Sequence, residues 1–185
     1  MKKIFFISAL LIACTNFCNA QNEVKYHGEA NLGYSIGSGS FGYNRVNLHT
    51  VQGAKIGEYA SVGLGFGLDW WRGIYKEYWK DKGMFDAGEV TIPVYFNVKG
   101  YLPTSKDIAD VAPYISCDLG YALALTQGIK EYVGGLYFSP AIGLKYNSFK
   151  AELAFVLQKF NNEDFEWDYD TKSAPAFKLS VGYIF

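Results

Sequence analysis

From Val24 onward the chain keeps a hydrophobic period of two, and it does so over segments far longer than the 5 to 6 residues typical of soluble strands. In "VKYHGEANLGYSI" the even positions are Val24, Tyr26, Gly28, Ala30, Leu32, Tyr34 and Ile36. The odd ones are Lys25, His27, Glu29, Asn31, Gly33 and Ser35. "RVNLHTVQGAKI" places Val46, Leu48, Thr50, Gln52, Ala54 and Ile56 on one face, and "ASVGLGFGLDW" does the same with Ala60, Val62, Leu64, Phe66, Leu68 and Trp70. Five further faces obey the rule: Val90 to Val98, Val111 to Leu123, Leu136 to Tyr146, Phe149 to Leu157, and Phe177 to Phe185. None of these eight apolar faces carries a charge. Segments of about 9 to 14 residues match what a tilted strand needs to cross a bilayer.

The connections alternate in length. Residues 57–59 and 147–148 are tight turns and 100–110 is a longer one on the same side, while 37–44, 71–88, 126–134 and 161–172 lie on the other. Short turns on one side and long loops on the opposite side are the asymmetry of an outer-membrane barrel whose termini both face the periplasm. The predicted fold is therefore all-β: an eight-stranded antiparallel up-and-down transmembrane barrel.

The first twenty residues, "MKKIFFISALLIACTNFCNA", combine a basic start, an apolar run and a small residue before Gln21. They read as a cleaved signal peptide (residues 1–20) ahead of a single barrel domain (residues 21–185). A second reading takes "LIAC" as a lipoprotein signal with Cys14 as the lipidated residue. Removal of Lys2 and Lys3 leaves 15 basic against 18 acidic side chains, a net charge of −3, which suggests no basic surface for nucleic acid. With Cys14 and Cys18 gone only Cys117 remains, so neither a disulfide nor a cysteine metal cluster is expected. No cofactor or metal ion is called for.

Alternation alone does not say which face meets the core, because a soluble lipocalin-like barrel has the same period with apolar residues inside. The row Ser61, Gly63, Gly65, Gly67 favours the inverted arrangement, since small residues make room inside a narrow barrel but would be wasted against solvent. Aromatic residues crowd the strand ends, with Trp70, Trp71, Tyr75, Tyr78 and Trp79 near one rim. Tyr101, Tyr114, Tyr146, Phe149, Tyr183 and Phe185 lie near the other, and together they read as two interfacial girdles. A sheet in hydrocarbon must also have no open edge, so strand eight is expected to pair with strand one.

With these features the sequence resembles the small eight-stranded outer-membrane barrels of the OmpA-transmembrane-domain and OmpX kind. The resemblance spans residues 21–185 and rests on the signal peptide, the eight alternating strands, the Gly-rich "SVGLGFGLDW" and the terminal "FKLSVGYIF". It implies residence in the outer membrane of a Gram-negative bacterium, as a monomer in contact with membrane lipid and lipopolysaccharide. It also implies that Phe177, Leu179, Val181, Tyr183 and Phe185 form the signal read by the barrel-assembly machinery during insertion.

The chemistry-bearing residues divide between lumen and loops. His27, Glu29, Arg45, His49, Asp69, Glu89, Asp118, Lys145, Glu152 and Lys178 fall on the polar face, where they are expected to form a hydrogen-bonded network that fills the barrel. Some barrels of this size modify lipids with a histidine and a serine or acid, which makes His27 with Glu29 or Ser35 the alternative, catalytic reading. Outside, "NNEDFEWDYDTK" alternates the acids Asp164, Glu166, Asp168 and Asp170 with Phe165, Trp167 and Tyr169. Loop 161–172 is therefore a candidate surface for an extracellular partner, together with loop 71–88. Deleting Phe185 is expected to reduce the assembled, surface-exposed protein to a minor fraction of wild type, measured by heat-modifiable migration of membrane fractions. Normal insertion of that variant would contradict the role assigned to the terminal pattern.

Overall fold

A computed structural model describes residues 24–38, 43–72, 89–102, 111–125, 134–160 and 172–185. Cys14 and the rest of the signal segment, most of loop 71–88, and the stretch Asp164 to Asp170 lie outside the described residues. The chain forms β1 (Val24–Gly37), β2 (Asn44–Ile56), β3 (Ala60–Arg72), β4 (Glu89–Tyr101), β5 (Val111–Ala124), β6 (Gly134–Tyr146), β7 (Phe149–Phe160) and β8 (Lys172–Ile184). Each strand pairs antiparallel with its sequence neighbours, and β8 returns to β1, so the sheet is a closed barrel.

The stagger of this barrel follows from its register. Paired residues lead from Val24 through Ile56, Ala60, Gly100, Ile115, Ile142, Leu153 and Leu179 back to β1 at Tyr34, ten residues beyond the start. With about 3.3 Å of rise per residue and about 4.8 Å between strands, that stagger tilts the strands by roughly 40°. Strands of 12 to 14 residues then reach about 30 Å along the barrel axis, the thickness of a hydrocarbon core.

Tight turns are built where a left-handed backbone is available. Gly57 opens the β2–β3 turn at φ 62°, and Asn147 opens the β6–β7 turn at φ 53°. Asparagine is among the few side chains that tolerate that region.

Burial is inverted relative to a soluble protein. Leu32, Leu64, Ile142, Leu153 and Leu179 point outward, with Leu179 at 64% exposure, whereas Glu29, Arg45 and Asp69 are wholly buried inside. A soluble binding barrel would show the reverse. The inner wall is thinned by glycine where a large side chain crosses the lumen. A Cβ on Gly65 would stand 2.2 Å from the Tyr95 ring, and one on Gly67 would stand 2.2 Å from His49.

Tyr75, Tyr78 and Trp79 lie outside the described residues, and among the rest the aromatic girdles differ in membership from the sequence reading. Trp70, Tyr34 and Tyr121 face outward toward the loop end, and Tyr26, Tyr59, Tyr146, Phe149, Tyr183 and Phe185 face outward toward the turn end. Trp71, Tyr101 and Tyr114 instead point into the lumen and are buried. Their positions share the parity of the polar face on their own strands, and in a pleated sheet parity decides the direction of a side chain.

Filling the space over Gly65 should overpack the lumen. We expect Gly65→Val to destabilise the folded barrel by about 1 to 3 kcal/mol in reversible unfolding from lipid vesicles, and Leu64→Ile, on the outer face, to cost less than about 1.5 kcal/mol. Equal effects of the two substitutions would contradict the assignment of the faces.

Candidate functional site

The lumen collects nearly all the buried charge. Glu29, on β1, stands at the centre of its turn-end half with no exposed surface. His27 Nε2 donates to Glu29 Oε1 at 2.7 Å, and the ammonium groups of Lys99 and Lys150 contact the two carboxylate oxygens. Lys150 also lies 3.6 Å from Glu152, whose Oε2 accepts from the Tyr114 hydroxyl at 3.1 Å and from Ser116 at 3.4 Å. Below this cluster the Tyr101 and Tyr114 rings meet at 5.7 Å between centroids, with Lys55 and Lys145 flanking Tyr101.

Three rings occupy the middle. Tyr95 and Tyr137 stack at 5.4 Å, and His49 leans against both at 5.6 and 6.3 Å. Val51, Ala122, Ala141, Ala154 and Val156 complete an apolar packing around the two tyrosines. Long rings fit here because the facing wall is small.

The loop-end half is organised by Asp69. Its Oδ1 accepts from His49 Nε2 at 2.8 Å and from Asn47 Nδ2 at 2.5 Å. With Nε2 donating, Nδ1 of His49 is left to accept from the Tyr95 hydroxyl at 3.2 Å. Ser35 donates to Asn47 at 2.7 Å. Arg45 lies over the Trp71 ring at 4.3 Å and donates through Nη1 to Gln158 at 3.0 Å, while Trp71 Nε1 donates to Thr91 at 2.9 Å.

Among the described residues the buried cations Arg45, Lys99, Lys150 and Lys178 balance the buried anions Glu29, Asp69, Asp118 and Glu152. Removing one member of such a pair leaves a stranded charge and costs about 3 to 5 kcal/mol.

The structure places His27, Glu29, Arg45, His49, Asp69, Asp118, Glu152 and Lys178 in this interior, with Lys145 half-buried at its turn end. The side chain of Glu89 lies outside the described residues. His27 and Ser35 are not brought together: eight residues apart on one strand, they are separated by about 26 Å, and Ser35 serves Asn47 instead. Lys99, Tyr95, Asn97, Tyr137 and Gln158 were not singled out by the sequence reading, although each has the inward parity of its strand.

No protein-family profile matches the chain, and no curated protein matches it by sequence. Solved structures do. The chain is similar to the outer membrane enzyme PagL, with a TM-score of 0.54 at 10% identity over 84% of this chain and 98% of that one. It is also similar to Neisserial surface protein A, with a TM-score of 0.58 at 12% identity over 88% and 97% of the two chains. Identities this low speak to architecture alone, and on that ground the chain has the fold of the small eight-stranded outer-membrane barrels.

Proposed function

We propose that this chain is an integral outer-membrane protein, a closed scaffold whose filled lumen carries no through-traffic and whose long loops act at the cell surface. The observation that supports this most strongly is the inverted burial. Rows such as Leu64, Phe66, Leu68, Trp70 and Phe177, Leu179, Val181, Tyr183 cover the outside of a sheet that has no edge. In water such a surface would far exceed the few hundred square ångströms of apolar patch that soluble monomers tolerate, whereas in hydrocarbon it is the required one.

In this reading both termini and the tight turns face the periplasm, membrane lipid and lipopolysaccharide surround a monomeric barrel, and the barrel-assembly machinery reads the β8 pattern ending in Phe185. Loops 71–88 and 161–172 meet an extracellular partner, with the acids and aromatics from Asp164 to Asp170 as its contact residues. The buried charges serve to fill and rigidify the lumen.

A second reading is lipid modification, favoured by the likeness to an outer membrane enzyme. The geometry around His27 argues against it. Its partner Glu29 is already held by two lysines in the interior, and no serine approaches that histidine among the described residues.

Membrane fractionation should place the protein in the outer membrane, with faster migration of the unheated sample on gels. Recovery as a soluble periplasmic protein would overturn the reading. Replacing His27 and His49 by Gln should leave the lipid profile of the outer membrane unchanged, and a lost lipid modification would instead establish the enzyme.

A further inference from the structure

We propose that a groove on the outer wall, at the β1–β8 seam, holds one acyl chain of a phospholipid from the periplasmic leaflet. The inference rests on the outer-membrane reading above and adds one specific lipid site to it.

The groove has a volume of about 390 Å³ and crosses β7, β8, β1 and β2. Its walls are Phe149, Tyr183, Val181, Leu32 and Leu48, all exposed on the outer face, and Ala30 forms the floor between them. Register explains the hollow. Ala30 pairs with Tyr183 on one side and Thr50 on the other, while Leu32 pairs with Val181 and Leu48. Large side chains therefore stand one step toward the loops, an aromatic pair stands toward the turns, and a single methyl group lies between. Asn31 and Lys150 border the groove as well, but parity turns their side chains into the lumen, where Lys150 contacts Glu29.

The groove also has the depth of one leaflet. Phe149, Tyr183, Ala30 and Thr50 are successive cross-strand partners, and with strands about 4.8 Å apart and tilted roughly 40° each step climbs about 3 Å toward the loops. Leu48 stands two residues higher on β2, so the climb from Phe149 to Leu48 is about 14 Å, close to half of a hydrocarbon core of about 30 Å. At the lower end Phe149 and Tyr183 meet edge to face at 5.5 Å in the turn-end girdle, which the outer-membrane reading places at the periplasmic interface.

The lining calls for plain hydrocarbon. The outward polar side chains beside the groove are engaged within the protein: Thr50 Oγ1 donates to the Glu29 carbonyl at 2.8 Å, Gln52 Nε2 donates to Thr50 at 2.7 Å, and the Tyr26 hydroxyl donates to Gln52 Oε1. What the groove offers a ligand is apolar contact. A chain lying in it meets protein on its floor and both walls, whereas on the convex wall elsewhere it meets protein on one side. Dispersion contacts are small singly but sum along the chain, and in a bilayer such packing is what drives apolar association.

The test is native mass spectrometry of the full folded protein, inserted into vesicles of mixed phosphatidylglycerol and phosphatidylcholine and then extracted in a non-ionic detergent. We expect one phospholipid retained per barrel irrespective of head group, and occupancy about five-fold or more lower in Ala30→Leu, which fills the floor. Ala54→Leu, at an outward position of β2 away from the groove, should retain the lipid as wild type does. Should Ala30→Leu fail to give a heat-modifiable barrel, Leu48→Ala removes the upper wall and should lower occupancy several-fold. No retained lipid, retention unchanged in these groove variants, or retention that follows the head group would overturn the proposal. A barrel dimer that Ala30→Leu dissociates would overturn it too, making a second copy the occupant. Normal insertion without a retained lipid sinks this site alone, whereas failure to insert into vesicles sinks the outer-membrane reading together with it.

Discussion

Inside a hydrocarbon layer no water is available to satisfy a backbone N–H or C=O, and each one left unpaired costs several kcal/mol. The rest of this structure depends on how that demand is met at one seam. β1 and β8 pair from Glu29 with Ile184 to Gly37 with Ala176, and reciprocal bonds of 2.9 Å between Gly28 and Phe185 extend the seam by one more pair. The Phe185 ring lies over Gly28, where a Cβ would stand 2.4 Å from it. The aromatic ring thus covers the backbone at the point where seam pairing ends, between the side chain of Tyr26 and the lipid face.

Closure over eight strands with a stagger of ten leaves a lumen only as wide as its own side chains. Two consequences follow from that size. Large inward residues must face small ones, which is why Tyr95 crosses toward Gly65 and His49 toward Gly67. Inward charges, deprived of water, must also find one another, which is why Glu29 takes three partners and Asp69 two.

Much of this could be read from the chain because alternation in a pleated strand is a strict geometric rule. The strand count, the direction of each face and the burial of Glu29, Arg45 and Asp69 come from parity alone. Trp71, Tyr101 and Tyr114 were placed in the girdles on chemical preference for an interface, and parity overrode that preference. The pairings inside the lumen were not legible. Lys150 reaches Glu29 across 121 residues of sequence, and that contact depends on the stagger of the closed barrel, which no local pattern encodes.

The face that alternation marks as apolar meets lipid all the way around a closed sheet. Nitroxide labels placed singly along β8 from Phe177 to Tyr183, in a Cys117→Ala background in lipid bilayers, test it directly through their accessibility to oxygen. Accessibility should oscillate with period two, high at Phe177, Leu179, Val181 and Tyr183 and low at Lys178, Ser180 and Gly182. A uniform profile, or one with the opposite phase, would contradict a lipid-facing apolar side.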